Sequence, residues 1–112
     1  MSGTATPFAL AGKVYRVEYG ALTVEHDYTT EGRLTYTMVS GNGSGYSYTA
    51  DIEVVALRGE MFAVSFQDEF ARLVMVIDAV GGCVDTFMVA ADGGLQHLRG
   101  TLTPVAAAPE GP

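Results

Sequence analysis

Between residues 13 and 102 apolar and polar side chains alternate with a period of two, broken at regular intervals by turn-forming residues. Tyr15/Val17/Tyr19, Leu22/Val24/His26/Tyr28, Leu34/Tyr36/Met38 and Phe62/Val64/Phe66 each keep that period, which puts alternate side chains on opposite faces of a strand. Turn signals recur at 19–21 (YGA), 29–32 (TTEG), 40–45 (SGNGSG), 58–60 (RGE), 67–71 (QDEFA), 79–82 (AVGG) and 91–94 (ADGG). They leave eight short segments, 13–19, 22–28, 33–40, 46–57, 61–67, 72–78, 83–90 and 95–102, rich in β-branched and aromatic residues and without a helical period. The pattern predicts an all-β protein, an eight-stranded antiparallel up-and-down barrel, because closure removes the exposed edges of an open sheet. Residues 12–102 make up this domain. The flanking segments 1–11 and 103–112, rich in Ala, Pro, Gly and Thr, are expected to be flexible.

Two segments depart from strict alternation. RLVMVID at 72–78 is apolar on both faces and CVDTFMVA at 83–90 nearly so. A strand buried on both faces needs cover outside the barrel, and a second copy of the chain is the simplest cover, so these strands predict a homodimer interface. In the fourth segment Tyr46, Tyr48, Ala50, Ile52 and Val54 share one face, and Ser47, Thr49, Asp51, Glu53 and Val55 the other. Alternation alone turns the tyrosines and aliphatics inward and leaves Asp51 and Glu53 in water.

Composition narrows the partners. With 6 basic against 13 acidic side chains, a formal charge of −7 and no Lys/Arg cluster, neither nucleic acid nor an anionic membrane is an expected partner. A neutral or mildly polar small molecule suits the charge better. Cys83 is the single cysteine, so no intrachain disulfide forms. The first residues carry no basic start or long apolar run, and LVMVI at 73–77 is too short to span a bilayer, so a soluble, cytoplasmic protein is expected.

Gly12-Lys13 opening a strand that ends in Tyr19, then EHDYTTEGRLTYTMVSG at 25–41, then TADIEVVALRGEMFAVSFQ at 49–67, together resemble the MoaF-like family, whose members are lipocalin-like barrels of the calycin type. The resemblance covers about residues 12 to 102, and its most specific piece is the pair TADIEVV and FAVSF. The same pattern is more distantly similar to the bacterial phenolic acid decarboxylases, cofactor-free barrels known for paired tyrosines on the first strand, an arginine on the third and a glutamate on the fourth, all facing the cavity. On that pattern Tyr19 matches one tyrosine and Val17 stands at the other. Thr37 stands where the arginine would be, and Asp51 where the glutamate would be. The resemblance thus implies that Asp51 faces inward, against the alternation. It also implies that a carboxylate substrate would lack its bidentate partner.

The candidate residues follow from both readings. Asp51 is the expected acid/base, since a carboxylate in an apolar barrel loses hydration and its pKa rises. Glu53 has the same parity and is either a second cavity acid or a rim charge. Tyr19 and Tyr15 are expected to orient a ligand, against the alternative that they simply pack in the core. Val17 and Thr37 would line the wall. His26 and His97, the only histidines, are candidate ligand contacts. They lack HxH or HxxxH spacing, so no metal is expected. The glycine-rich 40–45 lacks the Lys-Ser/Thr ending of a phosphate loop and reads as a hairpin tip. Cys83 has no sequence neighbour to activate it.

The sequence therefore predicts a dimeric barrel enclosing one apolar or aromatic molecule, without a cofactor. Such a barrel either carries the molecule or promotes an acid/base isomerisation, cyclisation or elimination on it. The alternative is an accessory protein whose barrel is filled by its own side chains.

Overall fold

The computed structural model describes residues 7–41 and 44–105. Every regular element among them is a strand: β1 (Val14–Glu18), β2 (Thr23–Asp27), β3 (Arg33–Ser40), β4 (Ser47–Asp51), β5 (Glu53–Arg58), β6 (Met61–Gln67), β7 (Ala71–Asp78), β8 (Cys83–Ala90) and β9 (Leu95–Pro104). They form one antiparallel sheet in the order β4-β3-β2-β1-β9-β8-β7-β6-β5. Each strand pairs with its chain neighbour except β4 and β5, which end the sheet order, and β1 pairs with β9, with Val17 opposite Leu102. The result is a nearly closed up-and-down barrel. No helix in the described residues is long and apolar enough to cross a membrane.

The difference from eight strands arises at Ile52. The fourth predicted segment is one continuous stretch that bends there: β4 pairs with β3, with Ala50 opposite Leu34, and β5 pairs with β6, with Val54 opposite Val64. Beside β4 the sheet therefore has a seam facing β6. Side chains tie it. Tyr36 donates from its hydroxyl to Asp68 Oδ2 at 2.6 Å, Tyr46 donates to Glu69, and the rings of Tyr36 and Phe66 lie 6.0 Å apart.

The turns use two chemistries. Gly20, Gly32, Gly59, Gly82 and Gly93 sit in predicted turns at positive φ, a region open to glycine without steric cost. The turn between β6 and β7 has no glycine. Asp68 replaces it, accepting the Phe70 and Ala71 amides on Oδ1 at 2.7 and 2.8 Å, as Asx turns do.

The inward files divide the barrel into two halves. At one end Leu34, Phe62, Val64, Ile77, Val84 and Val17 are fully buried. Part of the segment expected to be flexible closes this end. Leu10 is fully buried, and the Phe8 ring meets Tyr28 and Phe62 edge-on at 5.2 and 5.3 Å. Apolar burial of this kind is the main stabilising term available to a small domain. The remaining parts of the expected flexible ends, 1–6 and 106–112, lie outside the described residues, as do Asn42 and Gly43 of the glycine-rich hairpin.

Candidate ligand cavity

In the other half the inward side chains stand back from one another and enclose a cavity of about 560 Å³, within the range of small-molecule sites. Val24, Met38, Phe66, Leu73, Met75 and Met88 supply most of its apolar wall. Tyr36, Tyr46, Phe70 and Asp68 stand along it on the seam side. The barrel is thus neither wholly filled nor wholly hollow.

Few polar groups reach this space, and each is placed by the strands beneath it. His26 lies on the inner file of β2, two residues before Tyr28, and is 4% exposed. Its Nδ1 lies 3.3 Å from the Tyr28 hydroxyl, and its ring lines the cavity. Burial away from water lowers the His26 pKa to about 4, so the imidazole is neutral near neutral pH. Burial also raises the pKa of Tyr28, with smaller contributions from the nearby Tyr19 and Tyr15.

Tyr19, just past β1, hydrogen-bonds Thr86 Oγ1 on β8 at 2.7 Å. Burial raises its pKa, and the Thr86 bond partly opposes that. The Tyr19 ring lies over Gly100 of β9, where a Cβ would come 2.8 Å from Tyr19 Cδ1 and 2.7 Å from the Glu18 carbonyl oxygen. Any larger residue at 100 would displace the ring. On the seam side the pKa of Tyr36 is raised, first by burial and then by its bond to Asp68. Tyr46 is pushed up to about 12, first by its hydrogen bond to Glu69.

Of the residues singled out in the sequence, the structure brings Tyr19 and His26 to the cavity. Tyr15 and Val17 belong to the packed half, Tyr15 lying 6.4 Å from the Tyr28 ring. The inward placement of Asp51 implied by the decarboxylase pattern is overturned. Its side chain is 86% exposed on the outer face and pairs with Arg33 at 3.1 Å, while Tyr48 and Ile52 pack against the core.

Strand parity also places Thr37 and His97 outside, contrary to expectation, and leaves Glu53 outside as the rim alternative had it, because their chain neighbours Tyr36 and Met38, Gln96 and Leu98, and Ile52 and Val54 face the interior or line the cavity. Thr37 bonds Ser47 on that outer face. His97 holds Asp85 at 2.8 Å and stacks on Phe87 at 4.7 Å. Cys83 does have a basic neighbour, across the sheet: the Arg99 guanidinium faces Cys83 and Asp85, which raise its pKa.

Thr86, Tyr36 and Asp68 were not among the candidates. Thr86 carried a signal, a hydroxyl on an inner file between Val84 and Met88, whereas the position of Asp68 depends on how the seam closes. Among the described residues no three His, Cys, Asp or Glu side chains are grouped to hold a metal ion.

The profile of the MoaF-like family matches residues 11–103. The chain belongs to the MoaF-like family. No curated protein matches it. Among solved structures, it is similar to a protein from Burkholderia vietnamiensis provisionally called a beta-lactamase. The two share 26% identity and superpose with a TM-score of 0.82 over 91% of this chain and 100% of the other. The barrel of this MoaF-like chain is therefore shared with a solved neighbour of comparable extent.

Proposed function

We propose that this MoaF-like barrel binds one small, uncharged, largely apolar or aromatic molecule in its open half, acting as a carrier. The observation that supports this is the cavity itself, about 560 Å³ with an almost wholly apolar wall and a few polar side chains along it. No Lys or Arg lines it, so an anionic ligand would lose its hydration without gaining a counter-charge. The binding reading is favoured over the acid/base one by the state of the cavity's ionisable groups. Asp51 is outside, Asp68 accepts three hydrogen bonds, and His26 with a pKa of about 4 is a weak base near neutrality. The beta-lactamase name of the structural neighbour is not carried over, because no serine or lysine lines the cavity.

A ligand that binds only the native state raises its apparent stability by mass action. Matched pairs of a neutral aromatic ketone or phenol and its carboxylic acid analogue therefore test the reading by thermal shift. The neutral members should raise Tm and the acids should not. Preference for the acids at neutral pH would overturn it.

The expected homodimer belongs to the same proposal. Val74, Phe87, Val89 and Leu95 are 42, 39, 43 and 71% exposed on the outer face. Val74 stands opposite Phe87, and Val89 opposite Leu95. The acid beside them, Asp85, is matched by His97 and Arg99 at 2.8 and 3.7 Å. A second copy meeting this patch would bury apolar surface without stranding that charge.

A further inference from the structure

The Tyr28 hydroxyl is almost fully buried, and among the described residues its hydrogen-bond partner is His26 Nδ1. Two arrangements of the protons satisfy that distance, and they differ in what they leave behind. If Nδ1–H donated, the Tyr28 hydroxyl hydrogen would have no acceptor in a dry interior. If the phenol donates, that hydrogen is used, and only oxygen lone pairs remain under-occupied. An unmade buried donor is the costlier defect. The phenol is also the better donor of the two. Tyr28 therefore fixes His26 with Nδ1 as acceptor and the remaining proton on Nε2.

Nε2 has no hydrogen-bond partner among the described residues. Because no fully occluded side-chain nitrogen or oxygen is unpartnered, and because the ring lines the cavity, this nitrogen is reached from the cavity. The neighbouring Tyr19 and Thr86 hydroxyls bond each other, which uses one of their two hydrogens and leaves the other on a rotatable hydroxyl. His26 Nε2–H is thus a donor of fixed direction open to whatever enters the cavity, on a ring that is 4% exposed.

We infer that the cavity selects ligands carrying a neutral hydrogen-bond-accepting oxygen, a ketone, quinone or lactone carbonyl, seated on His26 Nε2–H with the apolar body toward Met75 and Met88. This deepens the binding proposal above and rests on it. A neutral imidazole suits a carbonyl better than an imidazolium would here. A cation would have to be charged inside the apolar barrel, whereas the neutral N–H donates without that penalty.

The test has two arms on the unmodified protein and one on a variant. Nitrogen-15 NMR of the histidine ring at pH 7 should show the Nε2–H tautomer at His26, and the Nδ1–H tautomer would overturn the inference. Titration calorimetry with an aryl alkyl ketone and its methylene analogue should give on the order of tenfold tighter binding of the ketone. In His26→Phe the preference should vanish while the hydrocarbon still binds. Equal binding of the pair by the unmodified protein would sink the carbonyl assignment and leave the apolar cavity reading intact. Binding of neither would remove both.

Discussion

Titration of His26 should make a measurable part of this protein's stability depend on pH. The folded pKa is about 4, against 6.5 for an unhindered imidazole, and the cause is loss of hydration in the barrel. Between those values the unfolded chain holds a proton that the native chain does not. Stability from keeping His26 neutral is therefore complete above about pH 6.5 and is lost as pH falls through about 4. At about 1.4 kcal/mol per pH unit the loss is on the order of 3 kcal/mol, a large share of the margin of a small domain. The perturbation is His26→Gln, with His26→Phe as a second variant that fills the same space without titrating. Urea unfolding at pH 7, 5.5 and 4.5 gives the free energies. With an m-value of about 1–2 kcal/mol/M, the unmodified protein should lose about 1–2 M more in midpoint than either variant over that range. Carboxylates and the exposed His97 are common to all three proteins, so they drop out of the comparison. Parallel decline of the three would refute the buried, neutral imidazole on which the cavity chemistry depends.

Two further outcomes follow from the packing. Gly100→Ala should destabilise the fold by about 1–3 kcal/mol, since its Cβ would meet both the Glu18 carbonyl oxygen and the Tyr19 ring. Ligand binding should weaken along with it, and an unchanged urea midpoint would contradict the seating of Tyr19. Light scattering at micromolar concentration should give a dimer mass for the unmodified protein and a monomer for Val74→Glu, because a charge in an apolar interface loses hydration without a partner. A monomeric unmodified protein would end the dimer proposal.

The barrel was legible in the sequence because period-two alternation and regularly spaced turns constrain an all-β chain heavily. Alternation also placed Tyr46, Tyr48, Ala50, Ile52 and Val54 inward, as found. At Asp51 the distant pattern of site residues runs against that parity, and parity prevails. A one-residue change of register would carry Tyr48 and Ile52 out into water, and their burial outweighs any gain from an inward acid. The split at Ile52 was hidden because a bend within a continuous strand needs no turn residue.

The cavity polar groups were less visible because each depends on closure. Tyr19 meets Thr86 across 67 positions and Tyr36 meets Asp68 across 32, separations over which alternation carries no information. His26 could be named as a candidate from its residue type. Its role as a donor could not, since that follows from the buried Tyr28 hydroxyl beside it.

The binding cavity is tested most directly by its methionines. Met38, Met75 and Met88 line it, while Met61 stands at the start of β6 outside it. In protein labelled at the methionine methyl carbons, titration with a neutral aromatic ketone should shift and saturate the Met38, Met75 and Met88 signals together and leave Met61 in place. Saturable shifts at Met61 alone, or no shift of the three at millimolar ketone, would contradict a ligand-binding cavity in the open half of the barrel.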